Sequence, residues 1–372
     1  MISRTHPFTS YLAAILLTAV IFLFSACTAK TGSTTKGKGT SAPRITVFVP
    51  GVVSGSPVYE MLSEGVTSAV NDWNAAHPAT GDTGTDSQAT VTVIEAGTNQ
   101  AEWSGKLTAL AASGNCDLII SSNPSLPELV APLTEQFPDI KFILLDAELA
   151  GNPAVETAQY NQSEQAYLAG FAAGVATVSK ELPHANPEKK VALIAAQEYP
   201  VMNDIILPYF TKGVQAASPD ATVDFRVVGN WYDASKGAEI ARSLYNEGID
   251  VILPIAGGAG QGVIAAAQEL GFYITWFDDN GFQQAPGLVI SSTVMEQKRM
   301  AYEVTKDYLE GKAAFGTART VGVREGYVQF VQDDPLYIST LPENDRALID
   351  AVYEDIKAGS LVLGNSSVVN IR

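Results

Sequence analysis

Aromatic side chains are concentrated in segments that lie in or beside the ends of strand-like runs of this sequence. They are Tyr59, Tyr199, Trp231, Tyr232 and Trp276. Loops carried on a rigid scaffold are frequent sites of ligand binding, and an aromatic ring in such a loop can stack on a flat ligand. Aromatic rings also fill protein cores. The pattern alone therefore leaves a binding role and a packing role equally open.

An acidic turn follows one of the same runs. Asp278-Asp279-Asn280-Gly281 begins like a calcium loop, but position 282 is phenylalanine and no glutamate follows at the required spacing. We predict instead that one carboxylate accepts hydrogen bonds from ligand hydroxyls, a charge-assisted contact that would orient a polyol. A solvated turn is the alternative.

A glycine-rich segment at residues 257–262 follows a strand-like run and opens a helical one. It lacks the third glycine of a dinucleotide fingerprint, because Val263 stands there, and no lysine follows Gly262 as a triphosphate loop requires. Two interpretations stay open. The segment either offers helix N–H groups to a neutral polar ligand or is a purely structural tight turn.

Motifs for catalysis are few. His77 and His184 lie in polar connecting segments, no Gly-x-Ser-x-Gly elbow occurs, and no His/Cys cluster has zinc spacing. Paired carboxylates stay possible, since their members can be distant along the chain. We therefore expect no enzyme and no metal site, and keep a surface-anchored nucleoside or glycoside hydrolase as the alternative of another class.

Short apolar runs alternate with longer amphipathic segments along the chain. The amphipathic segment after Ser56 and Pro57 has the N-cap and first-turn residues of a helix. Near-continuous apolar runs are typical of parallel strands covered on both faces, and the alternation predicts two doubly wound α/β lobes. Ligands of such sheets bind beyond the carboxyl ends of the strands. The predicted strands are 45–49, 91–95, 117–121, 141–145, 191–195, 222–228, 251–254, 273–277 and 288–292.

The charge balance argues against anionic partners. The 372 residues include 23 basic and 40 acidic side chains, a formal net charge of −17. Such a surface repels nucleic acid and anionic lipid head groups. We expect a soluble folded protein that does not interact with nucleic acid.

The N-terminal segment has the pattern of an export signal. Residues 11–26 form an uncharged run, shorter than the ~20 residues of a bilayer-spanning helix. The sequence LFSAC at 23–27 resembles a bacterial lipobox. We predict a signal peptide at 1–26, a lipid on Cys27 and a flexible tether at 27–43. Cys116 would then have no disulfide partner and is expected to be a core residue.

Four segments together resemble one family. EQAYLAGFAA at 164–173, VGNWYD at 228–233, LYNEGIDVI at 244–252 and GVIAAA at 262–267, followed by Asp278, are similar to the basic membrane protein family, the PnrA-like binding lipoproteins of ABC importers. The resemblance runs from about Arg44 to Gly322. It implies a type I periplasmic binding protein fold, with lobe 1 at 44–160 plus 283–322 and lobe 2 at 161–282 plus 323–372, joined by a hinge.

The resemblance also implies a binding site. Tyr59 and Trp231 match the two aromatic residues that stack on the ligand base, and Asp278 matches the ribose-binding acid. The first loop, PGVVSGS at 50–56, lacks the carboxylate and amide with which family members read a purine edge. A gapless comparison places Met295 at the position of the family's lysine, with Lys298 nearby. Three further residues at loop or hinge edges are weaker candidates for ligand contact. These are Asn123, Tyr160 and Asn161.

The ligand expected from this resemblance is riboflavin. The first loop and WFDDNG at 276–281 are similar to the riboflavin-uptake branch of the family. The dimethylbenzene edge of a flavin needs no hydrogen-bond partner, so a neutral first loop suits it. A purine nucleoside is the alternative. We expect an exported monomer held on the periplasmic or cell-surface side by its lipid, with an ABC permease as partner, no cofactor, and riboflavin as transported ligand.

Overall fold

The computed structural model describes residues 42–78 and 88–363. The predicted signal peptide, Cys27 and nearly all of the predicted tether lie outside these residues. The described chain contains twelve strands. They are β1 (Arg44–Val49), β2 (Thr90–Glu95), β3 (Leu118–Ser122), β4 (Lys141–Leu145), β5 (Val155–Tyr160), β6 (Lys190–Ala195), β7 (Thr222–Val227), β8 (Ile249–Ile255), β9 (Tyr273–Trp276), β10 (Val289–Met295), β11 (Ala318–Val321) and β12 (Val328–Phe330).

Ten α-helices connect or flank these strands within the same residues. They are α1 (Pro57–Ala76), α2 (Trp103–Ala112), α3 (Leu126–Gln136), α4 (Gln162–Val178), α5 (Leu207–Ala217), α6 (Ala234–Asn246), α7 (Gly260–Leu270), α8 (Gln297–Leu309), α9 (Pro335–Thr340) and α10 (Glu343–Ala358). As predicted, Ser56 is the N-cap of α1 and Pro57 its first residue, where the missing N–H of proline costs no hydrogen bond.

The strands form two six-stranded sheets. The first has the order β11-β5-β4-β3-β1-β2 and is parallel throughout. The second has the order β12-β10-β9-β8-β6-β7 and is parallel except for β12, which pairs antiparallel with β10. The central strands are buried on both faces, whereas the edge strand β2 is largely exposed. Two doubly wound α/β lobes are thereby confirmed.

The chain crosses between the lobes three times. It passes from β5 into α4 at residues 160–162, from β10 into α8 at 295–297, and from β11 towards β12 at 321–328. The predicted lobe boundary at residue 283 is therefore too early, because β10 pairs with β9 and β12 of the second sheet. Residues 283–295 belong to lobe 2, and the crossover follows Met295.

Two smaller expectations concern single features of the described chain. Cys116 is a free cysteine and 3 % exposed, so its assignment to the core is confirmed. Within residues 42–78 and 88–363, no helix combines the length and apolarity needed to cross a bilayer.

Candidate ligand-binding cleft

Loops at the carboxyl ends of both sheets meet at one cleft. The first lobe contributes residues 50–56 after β1 and Asn123 after β3, while the second contributes Trp231 after β7 and Asp278 after β9. The lobes touch here. A Cβ atom built on Gly51 would lie 2.8 Å from the hydroxyl of Tyr232 and 3.0 Å from Cε2 of Tyr59, so this backbone fits between one ring from each lobe.

Tyr59 lies in the first turn of α1 and is held by two groups of its own lobe. Its hydroxyl donates to the Pro50 carbonyl at 3.2 Å and accepts from Nδ2 of Asn123 at 3.4 Å. Burial raises the pKa of Tyr59, so the phenol is neutral at physiological pH. The structure thus brings together two of the predicted site residues, Tyr59 and Asn123.

Trp231 is held by two other loops of the second lobe, those that follow β6 and β8. Its indole Nε1 donates to Oε1 of Gln197 at 3.0 Å, and its ring centroid lies 6.3 Å from that of Tyr199. The backbone N–H of Ala259 donates to the Trp231 carbonyl at 3.1 Å. Trp231 and Tyr59 make no direct ring contact in the described chain, and Tyr232 is the aromatic residue of lobe 2 that reaches Gly51.

The glycine-rich segment supports this arrangement by close packing. A Cβ atom on Gly257 would lie 3.2 Å from Cε3 of Trp231, and one on Gly262 would lie 1.8 Å from the Ala234 carbonyl of α6. Of the two interpretations left open by the sequence, the structural one accounts for Gly262, because only glycine lets α7 approach α6 this closely.

Two carboxylates, one from each lobe, face the start of α4. Asp146 follows β4 and accepts from Nε2 of Gln162 at 2.6 Å, while Asp278 follows β9 and accepts from Nε2 of Gln165 at 3.1 Å. Gln162 and Gln165 are three residues apart in the first turn of α4, so they lie on one face of that helix. The acids have left-handed φ angles of 50° and 78°, a strained conformation that often marks functional sites.

The electrostatics of this acid pair are unusual. Burial raises the pKa of Asp146 to about 8, and repulsion by Asp278 contributes further. Burial likewise raises the pKa of Asp278 to about 7, with Asp279 as a smaller cause. No basic side chain of the described chain is among the groups that shift either pKa. Asp146 and Asp278 are both half-buried, so each keeps some accessible surface.

Several polar atoms at the same edge have no protein partner. Among the described residues, Oε1 of Gln162, Oε1 of Gln165, Nε2 of Gln297 and Oγ of Ser122 are buried without a hydrogen bond. Gln165 and Gln297 are 0 % exposed. Buried polar atoms are nearly always satisfied in folded proteins. The Gln162 and Gln165 oxygens belong to the amides that bind Asp146 and Asp278, and acceptors placed there fit a ligand that carries several hydroxyls.

Two weaker candidates have structural partners instead. Tyr160 is the last residue of β5, is 1 % exposed, and donates its hydroxyl to Oε1 of Gln297 at 2.7 Å. Asn161 is the N-cap of α4, and its Oδ1 accepts from Oγ of Ser163 at 2.6 Å. Both residues thus help to fix the first crossover, and their contact with ligand stays a prediction.

Trp276 also has a structural role. Its indole Nε1 donates to Oδ1 of Asp279 at 2.5 Å, and a Cβ on Gly281 would lie 2.1 Å from Cγ of Trp276. The indole therefore packs flat on the 278–281 turn and supports the backbone that presents Asp278. Of the five aromatic residues noted in the sequence, this one packs within its own loop.

Three functional candidates were missing from the sequence-based set. Asp146 directly follows the predicted strand 141–145, so the rule that pointed to Asp278 could have found it. Gln162 and Gln165 carried no comparable signal, because the sequence does not show that the first turn of α4 faces both lobes.

Two surface depressions lie elsewhere. The larger, about 490 Å³, is lined by Lys141 at the amino end of β4, away from the cleft.

Comparison with known proteins agrees with this architecture. A family model described as ABC transporter substrate-binding protein PnrA-like matches residues 42–361. A nucleoside-binding protein of an ABC transporter, BmpA of Lactococcus lactis, is 25 % identical over 56 % of this chain and 62 % of its own length. Basic membrane protein A2 of Borrelia garinii is 25 % identical, with 87 % of both chains covered.

Two further matches complete the comparison. A CD4+ T-cell-stimulating antigen of Listeria monocytogenes is 30 % identical, but the match spans only 43 % of this chain and 42 % of that protein. Among solved structures, an ABC transporter solute-binding protein of Aeropyrum pernix superposes with a TM-score of 0.70 at 19 % identity, covering 88 % of this chain and 94 % of the other. At that identity the likeness shows the fold alone, that of a two-lobed solute-binding protein.

Proposed function

This chain belongs to the PnrA-like family of ABC transporter substrate-binding proteins, and on that premise we propose that its cleft captures riboflavin and delivers it to a membrane permease. The family description names a substrate-binding protein rather than an enzyme, so the hydrolase alternative has no support from the relatives. Riboflavin and the delivery step are the proposal, and the acid pair of Asp146 and Asp278 is the observation that carries it.

The cleft offers different chemistry to the two ends of such a ligand. Tyr59 and the Trp231 loop supply aromatic surface from opposite lobes. Asp146 and Asp278, with the two unpartnered glutamine oxygens beside them, supply acceptors for a chain of hydroxyl donors. Riboflavin combines a wide flat ring with a ribityl tail of four hydroxyls. An aspartate oxygen can accept a hydrogen bond from such a hydroxyl in either protonation state of the acid.

The first loop favours a flavin over a purine. Residues 50–53 are Pro-Gly-Val-Val, and no side chain among them can donate to or accept from a purine edge. The N–H of Val53 is already bound to Oε1 of Glu95 at 2.6 Å. A purine nucleoside is the second candidate, favoured by the nucleoside-binding relative from Lactococcus. An absorption spectrum of protein purified without refolding tests the choice, since bound flavin gives visible bands and a purine does not.

The role of Asp278 is tested by a ligand that lacks the hydroxylated tail. We expect Asp278→Asn to weaken riboflavin binding by about tenfold and lumichrome binding by less than about twofold, because only riboflavin has hydroxyls to donate to the carboxylate. Titration of tryptophan fluorescence measures both Kd values. Equal losses for the two ligands would contradict a tail-binding role for this acid.

Riboflavin affinity is expected to rise as the pH falls. Both acids have raised pKa values in the closed cleft, about 8 for Asp146 and about 7 for Asp278, against roughly 3.9 for a solvated aspartate. The closed form therefore binds more protons than a form with hydrated acids, so protonation favours closure below about pH 8 and the gain is lost as the pH rises through 7 and 8. We expect the Kd to be at least about fivefold lower at pH 6 than at pH 8.5.

The variant Asp146→Asn provides the control for this pH profile. It removes the higher of the two pKa values and should flatten the dependence between pH 7 and pH 8.5. Calorimetric titrations at five pH values, each in two buffers with different ionisation enthalpies, also measure the proton uptake directly. A flat profile in the unaltered protein would contradict closure over a protonated acid pair.

Membrane attachment is the remaining part of the proposal. We infer that Cys27 carries the lipid, because the lipobox-like sequence ends there. Cys27→Ser is expected to move the protein from the membrane fraction to the soluble fraction of a bacterial host and to abolish incorporation of labelled palmitate. Serine keeps the size of the side chain but cannot form the thioether. Unchanged membrane retention and labelling would place the anchor elsewhere.

A further inference from the structure

We propose that Gln100 and Gln197 form an interlobe amide clasp, which favours the closed cleft and sets the orientation of the Trp231 indole. The clasp is defined by these two side chains. The proposal deepens the proposed function and rests on it in one respect, namely that Trp231 contacts the bound ligand.

The two amides pair reciprocally across the cleft. Nε2 of Gln100 donates to Oε1 of Gln197 at 3.1 Å, and Nε2 of Gln197 donates to Oε1 of Gln100 at 3.0 Å. Gln100 follows β2 of the first sheet and Gln197 follows β6 of the second. Both hydrogen bonds therefore require the lobes to be together. Opening the cleft breaks both at once.

Trp231 fixes which way round the amide of Gln197 lies. The indole N–H can only donate, so the atom that receives it at 3.0 Å must be the oxygen of Gln197. That leaves the nitrogen of Gln197 to donate to Gln100, and it leaves the oxygen accepting from both Gln100 and Trp231. A carboxamide supplies both an acceptor and a donor on one planar head. Neither glutamate nor leucine could make the whole set.

The turn that carries Gln100 is rigid. Oδ1 of Asn99 accepts from the N–H of Ala101 at 3.2 Å, and the indole of Trp103 donates to the Gly97 carbonyl at 2.8 Å. Trp103 is 3 % exposed and belongs to the core of lobe 1. Gln100 is thus presented to the second lobe at little further cost in side-chain ordering.

Gln100 is a positioning residue and not a ligand contact. Gln100 acts through Gln197, so its loss should leave the encounter of ligand with the open cleft unchanged and should speed the escape of ligand from the closed one. For two partly buried neutral hydrogen bonds we expect the dissociation rate to rise about tenfold in Gln100→Ala, with the association rate within about twofold of the unaltered protein.

Stopped-flow fluorescence with riboflavin, and separately with guanosine, measures these rates. Gln197→Ala should give at least this increase, because it removes the hydrogen bond from Trp231 as well as the two with Gln100. The double variant should be within about twofold of Gln197→Ala, because Gln100 has already lost its partner there. Asn152→Ala is the matched control. It removes a side-chain amide hydrogen bond within lobe 1, to Oγ1 of Thr134 at 2.9 Å, and should leave both rates unchanged.

A second measurement needs no ligand and therefore separates this proposal from the choice of riboflavin. Spin labels on the exposed positions Asp139→Cys and Glu239→Cys report the interlobe distance of the free protein by pulsed electron resonance. We expect a closed population that is reduced about tenfold in Gln100→Ala. A free protein with no closed population, an unchanged population in Gln100→Ala, or a variant that slows association alone would each overturn the clasp. Failure of riboflavin to bind would overturn only the proposed ligand.

Discussion

Riboflavin 5′-phosphate is expected to bind at least about a hundredfold more weakly than riboflavin, a difference of roughly 2.7 kcal/mol. The phosphate lies at the end of the ribityl tail and would approach Asp146 and Asp278. In the described chain, no basic side chain contributes to the pKa of either acid, and burial disfavours charge there already. Competition against riboflavin, followed by flavin fluorescence, measures the ratio.

Two controls separate the effect of the phosphate group's size on affinity from the effect of its charge. Riboflavin 5′-acetate has a tail substituent of similar bulk without charge and should lose far less affinity than the phosphate. Asp146→Asn combined with Asp278→Asn should narrow the difference in affinity between riboflavin and its phosphate at pH 8.5, where both acids of the unaltered protein are largely ionised and repel the phosphate. Similar affinities for riboflavin and its phosphate in the unaltered protein would show that the tail does not reach the acid pair.

Trp231→Ala is expected to raise the Kd for riboflavin at least about tenfold, or roughly 1.4 kcal/mol. The indole is the ring that would stack on the flavin from the second lobe, and its truncation also leaves Oε1 of Gln197 with one donor fewer. Isothermal titration calorimetry measures the change. The loss of stacking and the loss of the hydrogen bond to Gln197 both raise the Kd.

Two variants distinguish these contributions. Trp231→Phe keeps a ring but loses the indole N–H, so it should recover most of the affinity if stacking dominates. Tyr245→Ala truncates an aromatic residue of α6 that packs on Phe272, with ring centroids 6.1 Å apart, and should leave the Kd unchanged. Wild-type affinity in Trp231→Ala would remove this residue from the site.

The central strands were predictable because burial on both faces leaves a near-continuous apolar run in the sequence. Each of the nine predicted runs is a strand, with ends displaced by at most three residues. Three strands escaped for physical reasons. β5 contains Glu156 and Gln159, β11 is half exposed at the edge of its sheet, and β12 has only three residues. The alternation of strands and helices predicted two lobes. The lobe to which β10 belongs depends on strand pairing, which no local sequence pattern encodes.

The residues of the candidate site were likewise predictable only in part. Strand ends indicated the loops of Tyr59, Trp231 and Asp278, and the same rule applied to β4 would have added Asp146. The pairing of Gln100 with Gln197 had no local signal, because the two residues are 97 positions apart and glutamine is equally common on open surfaces. Asn161 caps α4, a role that its position just before a predicted helix indicated.

The triple passage of the chain between the lobes has an evolutionary consequence. Each lobe is assembled from separated stretches of sequence, so a single recombination event cannot exchange one lobe for that of a relative. All three crossovers between the lobes would have to be exchanged at matching positions. Divergence in cargo among relatives is therefore expected to proceed by point changes in the strand-end loops, with the scaffold inherited whole.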